Sequence, residues 1–368
     1  MEILITGSEG FIAKNLIYRL NNLKNVKLNL FSKKTNLQNL EKLIIKSDYI
    51  IHLAGENRSH KKNDFKKNNF LLSKKISEII ISNKLDKKII YSSTTRFKEN
   101  NYYGESKLKS ENVLKKITKS TQSKLKIYRL PNVFGKWSKP NYNSVIATFS
   151  FSISRGKNIN LFNENKYLNI IYIDDLIDQF MKDIFSKRIN NGVKKLNKIY
   201  KITPSQIYKL LSLMNSQRSY LKIKKYNKHL LKNLYSTLIS FYPGTKFKYP
   251  ISTNEDRRGI FAEIMRLGSS GQFSFFTINK KQERGEHYHN TKVEKFLILT
   301  GKVRFIFYDL NTKKRIKIDI SDKDYNIIES IPGYVHKLIN IGNSKAIGVI
   351  WSNEEFNRND PDTFNHKI

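Results

Sequence analysis

Four residues with metal-ligand chemistry crowd into the last third of the chain. Residues 285–294 read Gly285-Glu286-His287-Tyr288-His289-Asn290-Thr291-Lys292-Val293-Glu294, a His-x-His-x4-Glu spacing. His336 follows in Pro332-Gly333-Tyr334-Val335-His336. On a strand, residues two apart face the same side, so His287 and His289 converge if that side is interior. Glu294 is expected from the next strand after a turn, and His336 from farther along the domain. Three imidazoles and a carboxylate suit Zn²⁺, and also Fe²⁺, Mn²⁺ or Ni²⁺. The plainer alternative is a set of half-buried sheet histidines. Against it, the chain has only 7 histidines and three of them fall in these two motifs.

A second chemistry is written at the other end. Thr6-Gly7-Ser8-Glu9-Gly10-Phe11-Ile12-Ala13 joins the first apolar run, Ile3-Leu4-Ile5, to a helical pattern. Gly7 allows a tight turn, Gly10 lets backbone approach a pyrophosphate, and Ala13 permits close helix–strand packing. The helix start at Phe11 and Ile12 offers N–H groups and a positive dipole end to phosphates. After the second apolar run comes Phe31-Ser32-Lys33-Lys34, where a carboxylate would have selected NADH. Two cations instead suit a 2′-phosphate, so NADPH is the expected cofactor. Tyr103-Gly104-Glu105-Ser106-Lys107 places Tyr103 and Lys107 on one helix face. A neighbouring cation favours ionisation of a phenol, which could then exchange a proton with a substrate oxygen. Ser92-Ser93-Thr94-Thr95, at the end of another apolar run, offers a hydroxyl to the same oxygen.

These residues need elements to hold them. Up to about residue 180 the pattern alternates strand and helix, which predicts a parallel α/β sheet. Strands are expected at 3–5, 26–31, 49–53, 88–91 and 126–130. Helices are expected over 11–23, over 64–82 and after Tyr103. The stretch 181–243 is less regular and reads as mostly helical. Near Tyr242-Pro243-Gly244 the texture changes to short strands split by Gly, Asn and Asp, as in a barrel or sandwich. Strands are expected there at 272–278, 295–299, 303–308, 315–320 and 347–351. The expected domains are 1–245 and 246–368.

Composition narrows the class. A chain of 368 residues with 39% hydrophobic content can build two cores. No apolar run is long enough for a membrane span, and Met1 leads almost directly into a strand, so neither membrane insertion nor a signal peptide is expected. With no cysteine there is neither a disulfide framework nor a thiolate metal site, and the cytoplasm is the default compartment. The net charge of +37 invites a nucleic-acid reading. The lysines, however, are spread along the chain beside abundant Asn, Ile, Tyr and Phe, which share A/T-rich codons. Nucleic acid is therefore not an expected partner. A general positive field would still attract a nucleotide-sugar diphosphate.

The first 240 or so residues resemble the extended short-chain dehydrogenase/reductases. Besides the glycine turn and the Tyr/Lys pair, His52-Leu53-Ala54-Gly55, Arg129-Leu130-Pro131-Asn132-Val133-Phe134-Gly135 and Tyr172-Ile173-Asp174-Asp175 look like that family's signatures. The resemblance implies a Rossmann-like doubly wound sheet. It implies Tyr103 as catalytic acid/base, Lys107 as its partner and ribose contact, and Thr94 as the hydroxyl, with Ser93 the alternative. Leu53 and Ala54 would touch the cofactor, and Asn132 would line the sugar-nucleotide pocket. Residues from about 250 onward resemble the cupin superfamily, an all-β jelly-roll barrel, with His287, His289, Glu294 and His336 at its metal-ligand positions. Asp256-Arg257-Arg258-Gly259-Ile260-Phe261 is similar to the sugar-nucleotide 3,5-epimerases of that barrel class. In this order the whole chain resembles the bifunctional capsular-polysaccharide reductase/3-epimerases.

That resemblance implies a UDP-4-keto-6-deoxy-N-acetyl-hexosamine substrate and a homodimer. It implies C3 epimerisation in the barrel, then NADPH-dependent reduction at C4 to UDP-N-acetyl-6-deoxy-L-talosamine, precursor of N-acetyl-L-fucosamine. Tyr288, Glu286, Lys295 and His336 stand as candidates for the epimerisation acid and base. Two alternatives differ in class. One is a 4-reductase whose barrel only dimerises or stabilises. The other is a nucleic-acid or scaffold protein built on an inactive reductase fold.

Overall fold

Runs of isoleucine, leucine and tyrosine near the N-terminus are apolar on both sides of the strand, and such runs need helices on both faces. In the computed structural model they form β1 (Glu2–Thr6), β2 (Lys27–Phe31), β3 (Tyr49–His52), β4 (Lys88–Thr94) and β5 (Lys124–Leu130). The chain then adds β6 (Asn132–Phe134), β7 (Leu168–Tyr172), β8 (Gly192–Val193) and β9 (Tyr200–Ile202). The main sheet is parallel throughout, in the order β2-β1-β3-β4-β5-β8. Helices Phe11–Asn21 and Ile173–Ile184 cover one face through Leu16, Leu20, Leu176 and Phe180. Helices Asn39–Lys46, Leu72–Ser82 and Tyr102–Ser120 cover the other through Leu40, Ile76, Ile80 and Leu114. This is a Rossmann-like doubly wound sheet. Strands β6, β7 and β9 form a small satellite sheet.

The structure describes every residue except 60, 61, 100, 162, 187, 218, 219 and 223–227. It divides into two compact units, Met1–Ser212 with Lys228–Pro243, and Leu213–Asn227 with Gly244–Ile368. Within 181–243 the described residues hold helices Pro204–Gln217 and His229–Ser240, and also β8 and β9. Those two short strands are too brief to show a period. The helix expected over 64–82 contains a π-helical turn, Lys66–Leu71.

The named strands of the second unit all pair antiparallel. Its strands are β10 (Asn254–Asp256), β11 (Gly259–Arg266), β12 (Gln272–Ile278), β13 (Glu283–Tyr288), β14 (Glu294–Thr300), β15 (Lys302–Asp309), β16 (Arg315–Ser321), β17 (Ile328–Ser330), β18 (Tyr334–Asn340), β19 (Ala346–Ser352) and β20 (Phe364–Asn365). One sheet runs β10-β11-β12-β19-β14-β17 and the other β16-β15-β18-β13-β20. Alternating residues such as Val303, Phe305 and Phe307 point inward and meet Phe276, Phe296 and Ile350 from the facing sheet. This is the cupin-like sandwich.

A buried polar chain crosses the first unit at the ends of its central strands. The Ala54 N–H donates to Thr6 Oγ1 at 3.2 Å, and Thr6 Oγ1 lies 2.7 Å from His52 Nδ1. On the other side of the ring, His52 Nε2 lies 2.9 Å from Ser73 Oγ, which donates to the Asn69 carbonyl at 2.9 Å. Every donor meets an acceptor if His52 is neutral, with its proton on Nε2. Burial, and then the charge of Lys107, push this imidazole down to about 3. An unfolded histidine titrates near 6.5. Unfolding therefore takes up a proton between these values, and the stability present above about pH 6.5 is lost as pH falls toward 3. Each such proton contributes a slope of about 1.4 kcal/mol per pH unit. Replacing His52 with Asn should flatten the acid limb by about one proton. Urea unfolding of the two proteins between pH 6.5 and 4.5 would measure it; parallel limbs would contradict the assignment.

Candidate functional site

A cleft of about 1680 Å³ opens at the carboxyl ends of the parallel strands, where doubly wound sheets bind their ligands. Gly7 and Gly10 form its floor, and Phe11 and Ile12 begin the helix above it. Gly7 has φ +71°, and a Cβ there would lie 2.7 Å from the Ala54 backbone. Only glycine lets this turn pack against the loop after β3. That loop brings Leu53 and Ala54 to the same wall. Lys33 also lines the cleft, whereas Lys34 lies beside it. Each has an acidic partner: Lys33 Nζ is 2.9 Å from Glu56 Oε2, and Lys34 Nζ is 3.1 Å from Glu9 Oε1. Both lysines are exposed, and pairs of that kind contribute only about 0–1 kcal/mol, so a phosphate could replace the carboxylates.

Tyr103 and Lys107 enter the cleft from the helix Tyr102–Ser120. Asn101 caps that helix, its side-chain oxygen accepting the Gly104 N–H at 2.8 Å. Burial pushes the Tyr103 phenol up, while a hydrogen bond with Thr94 and the charge of Arg96 pull it back. The cation expected to favour phenolate is turned elsewhere. Lys107 Nζ donates to the Ser92 carbonyl at 2.7 Å and sits over the Tyr91 ring at 4.7 Å. Burial lowers this ammonium to about 7 against the opposing charge of Glu111. Ser93 points away from the phenol, its hydroxyl donating to Glu111 at 2.6 Å. The strand alternation that turns Ser93 inward turns Thr94 toward Tyr103. Glu111, fully buried, also accepts two hydrogen bonds from Arg129, at 3.0 and 2.7 Å. Asn132 lies at the far wall, its amide donating to the Asn169 carbonyl at 3.2 Å.

Sequence reasoning missed two positioning residues here. Asn69, in the π-helical turn, accepts the Glu56 N–H at 2.6 Å and donates to Ser106 Oγ at 2.8 Å, tying the loop after β3 to the Tyr103 helix. Set beside Lys66, Lys67 and Asn68, it carried no signal of its own in the sequence. Gly104 is the other. A Cβ there would lie 2.4 Å from the Arg96 carbonyl. The glycine was legible as part of the Tyr-x-x-x-Lys spacing, but its contact was not.

In the second unit His287, His289, Glu294 and His336 converge, with ligand atoms all within 4.8 Å of one another. A bulge makes this possible. Gly285 and Glu286 have φ +85° and +69°, and the extra residue lets His287, rather than Glu286, oppose His336 across β13 and β18. Glu294 arrives from the facing sheet, at the start of β14. Its Oε2 lies 3.2 Å from His289 Nε2 and 3.3 Å from His336 Nε2. His289 Nδ1 lies 2.6 Å from the Asp362 carbonyl, which can only accept, so Nδ1 carries the proton and Nε2 offers its lone pair. His289 Nε2 and Glu294 Oε2 are buried with no well-directed hydrogen bond. Burial, followed by the neighbouring histidine charge, pushes His287 down to about 3, which keeps it a neutral ligand. Burial alone would raise Glu294 and lower His289, but the close approach of the carboxylate to the imidazoles, at 3.2 and 3.3 Å, reverses both: the carboxyl is held well below its usual range and His289 is raised. Three imidazoles converging on an ionised carboxylate, with buried His289 Nε2 and Glu294 Oε2 left without a well-directed hydrogen bond, fit a divalent cation.

The geometry also separates the acid/base candidates. Glu286 is held by Lys337 at 2.8 Å. Lys295 is exposed and paired with Glu329. His336 belongs to the ligand cluster, and Tyr288 stacks on Phe364 with ring centroids 5.3 Å apart.

Two family matches divide the chain along the same lines. Residues 3–184 match the NAD dependent epimerase/dehydratase family, and residues 254–364 match the polysaccharide biosynthesis C-terminal domain. The chain is 36% identical over 364 residues to the UDP-2-acetamido-2,6-beta-L-arabino-hexul-4-ose reductase of Pseudomonas aeruginosa, covering 99% of this chain and 98% of the relative. It belongs to this capsular-polysaccharide reductase family. The capsular polysaccharide assembling protein CapF from Staphylococcus aureus is similar over 100% of both chains, with TM-score 0.93 and 34% identity. UDP-glucuronic acid 4-epimerase from Bacillus cereus, at 18% identity and TM-score 0.57 over 66% of this chain, shares the fold. The epimerase/dehydratase family implies a nicotinamide cofactor for the first unit. Among the described residues no helix is long and apolar enough to cross a membrane.

Gly104 gives this family assignment a local test. Gly104→Ala must push the first turn of the Tyr103 helix off the Arg96 carbonyl. A displacement near 1 Å at a reacting group costs about 10²-fold in rate. Steady-state kinetics should show kcat falling by that order, with binding of the nicotinamide cofactor retained. An unchanged kcat would mean the turn relaxes without moving Tyr103.

Proposed function

We propose that the chain carries two activities on one UDP-4-keto-6-deoxy-N-acetyl-hexosamine. The domain 246–368 epimerises C3, and the domain 1–245 then reduces C4, giving UDP-N-acetyl-6-deoxy-L-talosamine, the precursor of N-acetyl-L-fucosamine. One observation carries the reading. Thr94, Tyr103 and Lys107 lining one cleft, with Thr94 hydrogen-bonded to Tyr103, and a converging His287/His289/Glu294/His336 cluster occur in one chain aligned end to end with a UDP-keto-sugar reductase.

The order follows from carbon acidity. A C3 proton is acidic only while C4 is a ketone, because the carbanion is then an enolate. Reduction removes that acidity, so epimerisation comes first. In the barrel a base takes the C3 proton and an acid returns one to the other face. A divalent ion, Zn²⁺ first among the candidates, would be held by the three histidines and Glu294 and would supply Lewis acidity or fix the loop.

In the first domain NADPH supplies hydride to C4. Gly7, Gly10, Phe11 and Ile12 present backbone to its pyrophosphate, Leu53 and Ala54 flank it, and Lys33 and Lys34 face the 2′-phosphate. Tyr103 donates its phenolic proton to the C4 oxygen, so the ketone gains one hydride and one proton. Thr94 hydrogen-bonds that oxygen and orients it. Lys107, held on the Ser92 carbonyl, contacts the ribose, and Asn132 meets the sugar nucleotide. The protein acts in the cytoplasm as a homodimer.

NMR of the keto-sugar nucleotide in D₂O tests both halves. Deuterium should enter C3 without NADPH, and the ketone should disappear once NADPH is added. Tyr103→Phe should keep the exchange and lose reduction by at least about 10²-fold, the range of general acid catalysis. Reduction without C3 exchange would reduce the barrel to a structural module. Neither process would reject the substrate. The cofactor choice is tested apart from this: Lys33→Ala with Lys34→Ala should lower kcat/KM for NADPH at least tenfold and leave NADH nearly unchanged. An equal fall for both would remove the 2′-phosphate role.

A further inference from the structure

The ligand loop His289–Glu294 is short of anchors of its own, and the C-terminal tail supplies them. Asp362 accepts the backbone N–H groups of Asn290, Thr291 and Lys292 at 2.9, 2.8 and 2.8 Å, and the Thr291 hydroxyl at 3.0 Å. Its own carbonyl takes the His289 Nδ1 proton at 2.6 Å. Lys292, buried, reaches back to the Pro361 carbonyl at 2.5 Å and to Thr363 Oγ1 at 3.3 Å. Beyond it, β20 pairs with His287 and Tyr288, and the His366 N–H donates to the Glu286 carbonyl at 3.1 Å. Two ligands, His287 and His289, are therefore braced by residues some seventy positions away in sequence.

We propose that Asp362 is a positioning residue for a divalent cation. Its carboxylate holds the 290–292 backbone, and its carbonyl fixes the tautomer and ring plane of His289, so that Nε2 faces the other three ligand atoms. The inference rests on the metal reading above and extends it to a residue outside the ligand set. Asp362 takes the left-handed backbone region, φ +39°, which brings its carboxylate and its carbonyl to bear on the same loop. Three consecutive N–H groups on one carboxylate form a fixed nest that a neutral side chain fills poorly. Partners of this kind outside the ligand set set metal affinity by about 10–100-fold when removed.

The experiment loads metal-stripped full-length protein with Co²⁺, reading affinity by titration and geometry from the visible d–d absorption. A second arm measures Zn²⁺ retention against a chelator. Asp362→Ala should weaken Co²⁺ binding by about 10–100-fold and alter the absorption band as His289 is released. Asp362→Asn keeps one acceptor and should fall between the two. Glu354→Ala removes the partner that Lys292 Nζ meets at 3.7 Å without touching the 290–292 amides, and should bind as wild type. Circular dichroism and the unfolding transition of the second unit check that each variant is folded. Wild-type affinity and spectrum in Asp362→Ala would overturn the inference alone. Failure of the wild-type protein to bind either ion would overturn the metal reading, and this inference with it.

Discussion

A neutral, fully buried imidazole holds the first site together. His52 sits where β1 and β3 end, and its two ring nitrogens reach opposite ways, to Thr6 and to Ser73. A buried polar group left unpaired costs on the order of 1–3 kcal/mol, so the hydroxyls on both sides are fixed once the ring is in place. From Ser73 the chain of contacts passes to Asn69, from Asn69 to Glu56 and Ser106, and from Ser106 to the Tyr103 carbonyl. The Gly7–Gly10 turn, the loop after β3 and the Tyr103 helix therefore share one polar network. The π-helical turn at Lys66–Leu71 belongs to it, for it carries Asn69.

The second site solves a different problem. Its ligands must come from two sheets of a sandwich whose interior is otherwise aromatic and aliphatic. Glu294 starts one strand, His287 and His336 face each other on two others, and His289 lies just past a strand end. Burying an ionised carboxylate among phenylalanines is costly unless charge and hydrogen-bond capacity are matched. The imidazoles around Glu294 supply that match, which is why polar atoms persist in this core.

Much of this was legible in the sequence, and unevenly so. The parallel sheet was readable because both-face burial leaves unbroken runs such as Tyr49–His52. The ligands were readable because histidine is scarce and spacing on a strand repeats every two residues. What stayed hidden depended on contacts far along the chain. Strand β13 gives no alternating pattern, since after the exposed Glu283 its residues are all of intermediate exposure and its bulge breaks the period. The brief strands β8 and β9 carry no period at all. Lys107 was readable as Tyr103's neighbour, yet not as a donor to Ser92, since that partner belongs to another strand. The choice between Ser93 and Thr94 also needed the fold, because only there does Glu111 take one hydroxyl and leave the other.

The bulge at Gly285–Glu286 has a consequence for how this segment can change. A strand register is counted in whole residues, and one step turns every side chain to the opposite face. Deleting Glu286 would close the bulge between Gly285 and His287, but it would also remove the carbonyl that accepts the His366 N–H and alter how Arg284 and His287 are phased against each other. Substitution at position 286 alters one side chain; a change of length resets a face. The tolerance of the 283–289 segment is thus arithmetic before it is chemical, with spacing as the fixed quantity and identity, outside the ligands and Gly285, as the free one. Gly285 joins the fixed set because a Cβ there would lie 2.6 Å from the His336 carbonyl.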